Sequence, residues 1–417
     1  MRRVVITGLG TINSLGLSVE ETFPRILKGE SGVRLIESFD TSDHATKIGG
    51  MVDWDPSAHG FGKPEQRKLD PFTMWALIGA DEALRDAGLE DIRSLPEEER
   101  ERFGTIVATG IGGIMGIIEQ QAVLIEKGPR RVSPHFIPRI MANAVSGQVA
   151  IRHGLLGTAF TTASACASAG HAIGMAWRAI QWGDADLVIT GGSESAVTPL
   201  SMAGFSSARA LSKRNDDPAG ASRPFDKDRD GFVMGEGCGI LILEELERAR
   251  ARGARIYAEV KGYGSTDDAY HITAPREDGK GPARAFNEAL RHAGLEPEDV
   301  QYVNAHGTST AFNDSIETTA LKRTFGDHAY KLAVSSTKSM IGHLLGAASA
   351  VELLYTALAV HTGQVHPTLN YTTPDPACDL DYVPGEARSM EVRNALCNSL
   401  GFGGHNVSIC IGQVDPH

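Results

Sequence analysis

The 417-residue chain has five cysteines, Cys166, Cys238, Cys378, Cys397 and Cys410, and no two of them form a C-x-x-C pair. An odd, scattered set of this kind argues against a disulfide framework or a zinc ribbon and points to a reducing compartment. Runs of 18 apolar residues are also missing, which argues against a transmembrane helix. Arg2 and Arg3 precede an apolar stretch, but Gly8, Gly10 and Asn13 interrupt it and no small-residue cleavage site follows. That stretch reads as a first buried strand rather than a signal peptide, and a cytoplasmic location with no membrane contact is the expectation. Basic residues are in deficit, 40 Lys and Arg against 52 Asp and Glu, for a formal net charge of −12. General nucleic-acid binding needs a cationic face, so the balance argues against it while leaving room for a local basic patch. No turn satisfies G-x-G-x-x-G, no P-loop lysine occurs and H-E-x-x-H is absent, so no cofactor and no metal is indicated.

What is present is repetition. Residues 82–90 read EALRDAGLE and residues 288–296 read EALRHAGLE, eight identities in nine. Each copy is a helical segment stopped by a glycine, Gly88 or Gly294, suited to the left-handed position that ends a helix. An apolar strand follows each copy, GTIVATG at 104–110 and VQYVNAHG at 300–307, and a strand ending in Gly-x-Gly precedes each, VVITGLG at 4–10 and YAEVKGYG at 257–264. Further on, each half offers a helix and then two strands. The chain is therefore expected to be α/β, two duplicated β/α halves of residues 1–253 and 254–417 packed as one body, with mostly parallel sheets covered by helices. At 417 residues the chain is long enough for a large or duplicated core.

Cys166 lies in TTASACASAGHAIGMAW, where small residues surround the thiol and a helix-forming segment begins directly after it. Unpaired backbone N–H groups and the positive end of a helix dipole favour a thiolate there. The other four cysteines read as small buried hydrophobes, Cys378 in a loop and the rest in strand-like runs. His306 follows the strand after the second repeat, at the C-terminal end where α/β sheets bind ligands. His343 stands just before the apolar helix that is the repeat counterpart of the helix beginning at Cys166. Duplication therefore predicts that Cys166 and His343 face each other across a pseudo-twofold axis.

These residues, with SACAS, RPFDKDRDGFVMGEG (223–237), HGTST (306–310), KSMIGHLLGAA (338–348) and NSLGFGGHN (398–406), resemble the β-ketoacyl-acyl-carrier-protein synthases over essentially the whole chain, and most of all the elongating synthases of type II. The resemblance implies a thiolase-like fold, a layered αβαβα body, and a decarboxylative Claisen condensation. Cys166 would carry the acyl chain and an enolate from malonyl-carrier protein would attack it. A thiolate suits this because it is both nucleophile and leaving group. By the same resemblance His306 and His343 stabilise the enolate oxygen as neutral imidazoles donating from Nε2, and Lys338 belongs to the catalytic set with Glu317 as its ion-pair or water-network partner. The backbone N–H groups of Cys166 and Phe402 form the oxyanion hole, and Phe402 is also a gate, Thr308 and Thr310 contact the phosphopantetheine arm, and Ile111 and Phe205 line the acyl pocket. The partners implied are acyl- and malonyl-loaded carrier protein and a second copy of the chain. The carrier is acidic, so docking calls on a basic patch for which Lys63, Arg67, Lys68, Arg130, Arg131 and Arg209 are the candidates. Pro64 and Ala311 depart from the type II pattern.

A thiolase would place a second cysteine in the C-terminal glycine-rich segment, which here reads GFGGHN. A non-catalytic partner subunit would lack the nucleophile. A polyketide ketosynthase subunit uses the same Cys-His-His set and is the nearest alternative.

Overall fold

The computed structural model describes residues 1–415. Ten strands form one sheet: β1 (Val4–Ile12), β2 (Phe103–Ala108), β3 (Ala159–Phe160), β4 (Leu187–Glu194), β5 (Gly237–Glu245), β6 (Ala258–Asp267), β7 (Tyr302–Asn304), β8 (Ala333–Ser335), β9 (Asn394–Gly401) and β10 (His405–Gly412). Their spatial order is β8-β7-β9-β10-β6-β1-β5-β4-β2-β3. From either edge inwards the strands come third, second, fourth, fifth, first within their own half, so the duplication read from EALRxAGLE is a duplication of topology. Only Val4–Ile6 of β1 and Ala258–Val260 of β6 join the two halves of the sheet.

The sheet is mixed, not mostly parallel as the alternation of helices and strands suggests. In the first half β2 pairs in parallel with β3 and β4, whereas β5 is antiparallel to both β4 and β1. The second half repeats this, with β10 antiparallel to β9 and β6. In the second half β10 comes back through a tight turn that can only yield an antiparallel neighbour, and in the first the long connection 195–236, which carries the helix Pro199–Ser207, returns β5 antiparallel to β4.

Five helices matter for the site: α1 (Pro71–Asp86), α2 (Ser168–Trp182), α3 (Lys280–Ala293), α4 (Asn313–Phe325) and α5 (Ala348–Thr362). The repeated words end α1 and α3, and Gly88 and Gly294 adopt φ of 69° and 67° beyond them. The Gly-x-Gly strand endings have a packing reason. A Cβ on Gly8 or Gly10 would stand 2.1 Å from a carbonyl oxygen of α1, and one on Gly262 or Gly264 within 2.0 Å of a carbonyl of α3. These two helices cover the outer faces. Helices α2 and α5 form the middle layer, α2 against β2, β4 and β10, and α5 against β4, β5 and β9. Residues Ala348–Val360 are all buried. The stretch Leu345–Thr362 is apolar enough to resemble a membrane span, yet 89% of it is buried inside the protein.

Candidate active site

After β3 the chain makes a tight turn at Ser164–Cys166 before entering α2. Ala165 sits at φ 50°, a region unfavourable to a residue with a Cβ. Ser168, the first residue of α2, holds the turn: its hydroxyl donates to the Ala165 carbonyl at 2.6 Å and accepts from the Ser164 N–H at 2.8 Å. Cys166 is thereby presented at the helix N-terminus, 8% exposed. The dipole argument predicts a thiolate, but burial is the larger effect. It pushes the thiol up to about 11, against the downward pull of the Lys338 charge and the Phe402 N–H.

His343 and His306 come from the second half. His343 Nε2 lies 3.0 Å from Cys166 Sγ, while its Nδ1 accepts the Leu345 N–H at 3.2 Å. An accepting Nδ1 puts the hydrogen on Nε2, facing the sulfur. His306, just beyond β7, has its Nδ1 3.2 Å from Lys338 Nζ, which has only hydrogens to offer, so His306 also carries its hydrogen on Nε2. The two rings are 5.3 Å apart and nearly perpendicular at 85°. Burial, and then the Lys338 charge, hold both imidazoles well below the usual histidine range, so both are neutral donors.

One ligand atom each from Cys166, His306 and His343 can be found within 4.8 Å of the other two, close enough to consider a metal. The donor chemistry does not fit one. Both histidines would have to surrender the bonds at Nδ1 that set their tautomers, and a cation would stand beside the Lys338 ammonium.

Lys338 is buried in a short helix after β8 and donates to the His306 carbonyl at 2.7 Å. Its ion pair is made with Glu352 of α5, not with Glu317. Glu317 instead accepts the N–H groups of His306 and Gly307 at 2.8 and 2.9 Å. Its neighbour on α4, Asp314, accepts from Thr308 and Ser309 at 3.0 and 3.1 Å and from Phe225 at 2.7 Å. The start of α4 thus clamps the whole His306–Ser309 loop. Glu194, buried at the end of β4, plays a similar part in the first half, accepting from Thr109, Gly110 and Ile111 and from Gly346. Glu352, Asp314 and Glu194 were not among the residues singled out from the sequence.

The remaining candidates are placed as follows. Phe402 sits in the glycine turn between β9 and β10, 38% exposed, with its N–H directed at Cys166. A Cβ on the preceding Gly401 would stand 3.2 Å from the Cys166 nitrogen. The Thr308 and Thr310 hydroxyls bond each other at 2.9 Å, and Thr310 also accepts the Asn313 N–H. Phe205 packs edge-on against Phe232 at 5.4 Å, and Phe232 in turn lies against the His343 ring at 5.3 Å. Ile111 is 38% exposed and tied by its N–H to Glu194. Lys63, Arg67, Lys68, Arg130, Arg131 and Arg209 are all exposed.

Comparison with known proteins agrees with this geometry. Residues 1–249 match the Beta-ketoacyl synthase, N-terminal domain, and residues 257–372 the Beta-ketoacyl synthase, C-terminal domain. The chain is 51% identical to the 3-oxoacyl-[acyl-carrier-protein] synthase 2 of Synechocystis sp. over 98% of this chain and 97% of that one. It is 48% identical to the protein of the same name from Staphylococcus aureus (strain COL), over 99% of both chains. Among solved structures, a beta-ketoacyl synthase from Burkholderia phymatum superposes with a TM-score of 0.91 at 34% identity over 100% of both chains. A type II polyketide ketosynthase bound to a hexaketide and in complex with its acyl-carrier protein gives the same TM-score at 37% identity, over 99% of this chain and 100% of that one. With matching halves, a matching fold and near full-length identity of this order, the chain belongs to the β-ketoacyl synthase family.

Proposed function

We propose that the protein is an elongating β-ketoacyl-acyl-carrier-protein synthase that joins a malonyl-derived two-carbon unit to an acyl chain held on Cys166. The observation that carries this reading is the pair of neutral imidazoles, both with Nε2–H, converging on a buried cysteine from the other half of the fold. In the first step the Cys166 sulfur attacks an acyl thioester and the carrier thiol leaves. The developing oxyanion is held by the backbone N–H groups of Cys166 and Phe402. In the second step malonyl-carrier protein loses carbon dioxide, and the enolate oxygen is held by the Nε2–H groups of His306 and His343. The enolate carbon then attacks the acyl-cysteine and the sulfur departs, leaving a β-ketoacyl product on the carrier. Lys338 fixes the His306 tautomer, and Glu317 holds the His306 loop in place.

In this reading the phosphopantetheine arm arrives on the carrier protein and passes Thr308 and Thr310. The acyl chain lies towards Ile111 and Phe205, Phe402 moves to admit it, and the exposed Lys63, Arg67, Lys68, Arg130, Arg131 and Arg209 meet the acidic carrier. The halves divide as residues 1–253 and 254–417. A homodimer is favoured by the open edge at β3, where Phe160 is 37% exposed and Ile151 on the adjoining helix Ala144–His153 is 67% exposed. The fatty-acid reading is preferred to the polyketide one because identity is higher to the synthase 2 proteins, 51%, than to the polyketide ketosynthase, 37%.

The test is intact-mass spectrometry of wild type and Cys166→Ala incubated with a medium-chain acyl-carrier protein, followed by malonyl-carrier protein. Acylation in wild type alone and a product two carbons longer are expected. Failure of every acyl thioester to label Cys166 would overturn the assignment.

A further inference from the structure

In a chain of net charge −12, one concave site is lined by cations and by no carboxylate. The exposed side chains of Arg276, Lys280, Arg284, Arg323 and Asn287, with Gly281, line an open surface depression of about 430 Å³. Pockets of about 300–1,000 Å³ are the size that takes a small molecule. The site shares no side chain with Cys166, His306 or His343. Nor does it include any of the exposed basic residues assigned to carrier docking.

The arrangement works against the fold that carries it. Arg276, Lys280 and Arg284 are spaced four apart and run into the first turns of α3, where Gly279 offers no side chain and Asp278 accepts the Lys280 N–H at 3.1 Å. Cations at that end oppose the helix dipole, and like charges four residues apart repel. Arg276 and Lys280 share a single acidic neighbour, Asp278, at 3.0 and 3.7 Å. Arg284 donates to the Asp267 carbonyl at 2.9 Å. The Arg323 side chain, reaching across from α4, has no ion pair or hydrogen bond among the described residues. A bound anion relieves the repulsion and the adverse dipole together.

We propose that this pocket binds a phosphate-bearing small molecule. A compact dianion meets three guanidinium forks and an ammonium at once, geometry suited to phosphate oxygens. A row of side-chain carboxylates on a protein helix fits a concave site of this size less well.

The test is isothermal titration calorimetry of the full chain with inorganic pyrophosphate and, separately, adenosine 3′,5′-bisphosphate, each at low and high salt. One saturable site is expected, weakened by salt. Arg284→Gln and Arg323→Gln, on different helices, should each weaken it about tenfold or more, while Arg250→Gln, on the helix Leu246–Ala251, leaves it unchanged. Equal affinity for the two ligands means that phosphate alone is read, and tighter binding of the bisphosphate means that the nucleoside contributes; either supports the site. Thermal melting of each variant separates lost binding from lost folding. Absence of saturable binding to either ligand, or binding unaffected by both arginine substitutions, overturns the proposal. So does loss of carrier-protein affinity in variants of a protein that never bound pyrophosphate, which would make the surface a protein-docking face.

Discussion

Lys338→Met would leave Glu352 alone in the interior, and the consequence depends on pH in a way that can be worked out. Glu352 is 1% exposed, and one of its oxygens has no hydrogen-bond partner among the described residues. Burial pushes its carboxyl up to about 7 even with Lys338 pulling it down. A carboxyl raised in the folded state carries no penalty below its unfolded value. Above that value the penalty grows by about 1.4 kcal/mol per pH unit until the group ionises within the fold. In the wild type that growth stops near pH 7, where Glu352 takes up its charge against Lys338. Without Lys338 ionisation is driven higher, so the penalty keeps growing. Between pH 7 and pH 9 the stability gap between wild type and Lys338→Met should therefore widen by up to about 3 kcal/mol. Equilibrium urea unfolding at pH 6, 7, 8 and 9, at one protein concentration, measures this directly. The double variant Lys338→Met with Glu352→Gln removes the titrating group and should show no widening. A gap that stays constant from pH 7 to pH 9 would refute the reasoning and place the negative partner of Lys338 elsewhere.

His306→Ala and His343→Ala each remove one aimed Nε2–H, and each should slow malonyl decarboxylation by about 10²–10³-fold, followed as released labelled carbon dioxide. In the wild type the same rate should stay level from pH 8 down to pH 6, because both imidazoles titrate well below 6.5; a fall centred in the ordinary histidine range would contradict the neutral donors. Gly401→Ala puts a Cβ 3.0 Å from the Ser164 carbonyl and 3.2 Å from the Cys166 nitrogen, so Cys166 acylation measured by intact mass should slow, and an unchanged rate would mean the two turns part freely. Glu194→Gln keeps one acceptor oxygen and turns the other into a donor, so whichever way the amide faces at least one N–H among Gly110, Ile111 and Gly346 is left unmet, at about 1–3 kcal/mol. The expected readout is a lower urea midpoint, and an unaltered one would show that the loops re-pair.

The repeat made the fold legible. Two matching helix words with their flanking Gly-x-Gly strands fixed the duplication, and the apolar helix after His343 could be matched to the one after Cys166. Strand direction was not legible, because the path between β4 and β5, residues 195–236, and the short turn between β9 and β10 decide it, and neither leaves a periodic signal. The three residues that meet at the sulfur could be found because each stands at the end of a recognisable strand or helix. Their second partners were harder. Glu352 sits in LLGAASAVELLYTALAV, and a lone carboxylate in a buried apolar helix was the available sign that Lys338 would find its counter-charge there rather than at Glu317. The environment of Cys166 is legible only in part. Its place at the helix N-terminus is local and readable, whereas the second half adds to the burial that pushes its thiol up, through the Gly401 turn and His343.

That division of labour follows from the symmetry. A duplicated scaffold brings the starts of α2 and α5 to equivalent places, but chemistry needs unlike groups there, and the two halves have diverged to supply them: the sulfur from one, and from the other the imidazoles with an ammonium behind them and the Phe402 N–H. The sheet seam cannot be what keeps these groups in register, since only three residues of β1 pair with three of β6. The middle layer is better suited to the task. Residues Ala348–Val360 of α5 are buried between strands of both halves, and burying an apolar side chain contributes about 1.5–3 kcal/mol. Glu194 adds a polar tie at the same level, holding Gly110 of the first half and Gly346 of the second on one carboxylate oxygen. The 3.0 Å contact between Cys166 and His343 is therefore set by helix packing at the centre of the molecule, and substitutions that loosen α5 should lengthen it without touching either residue.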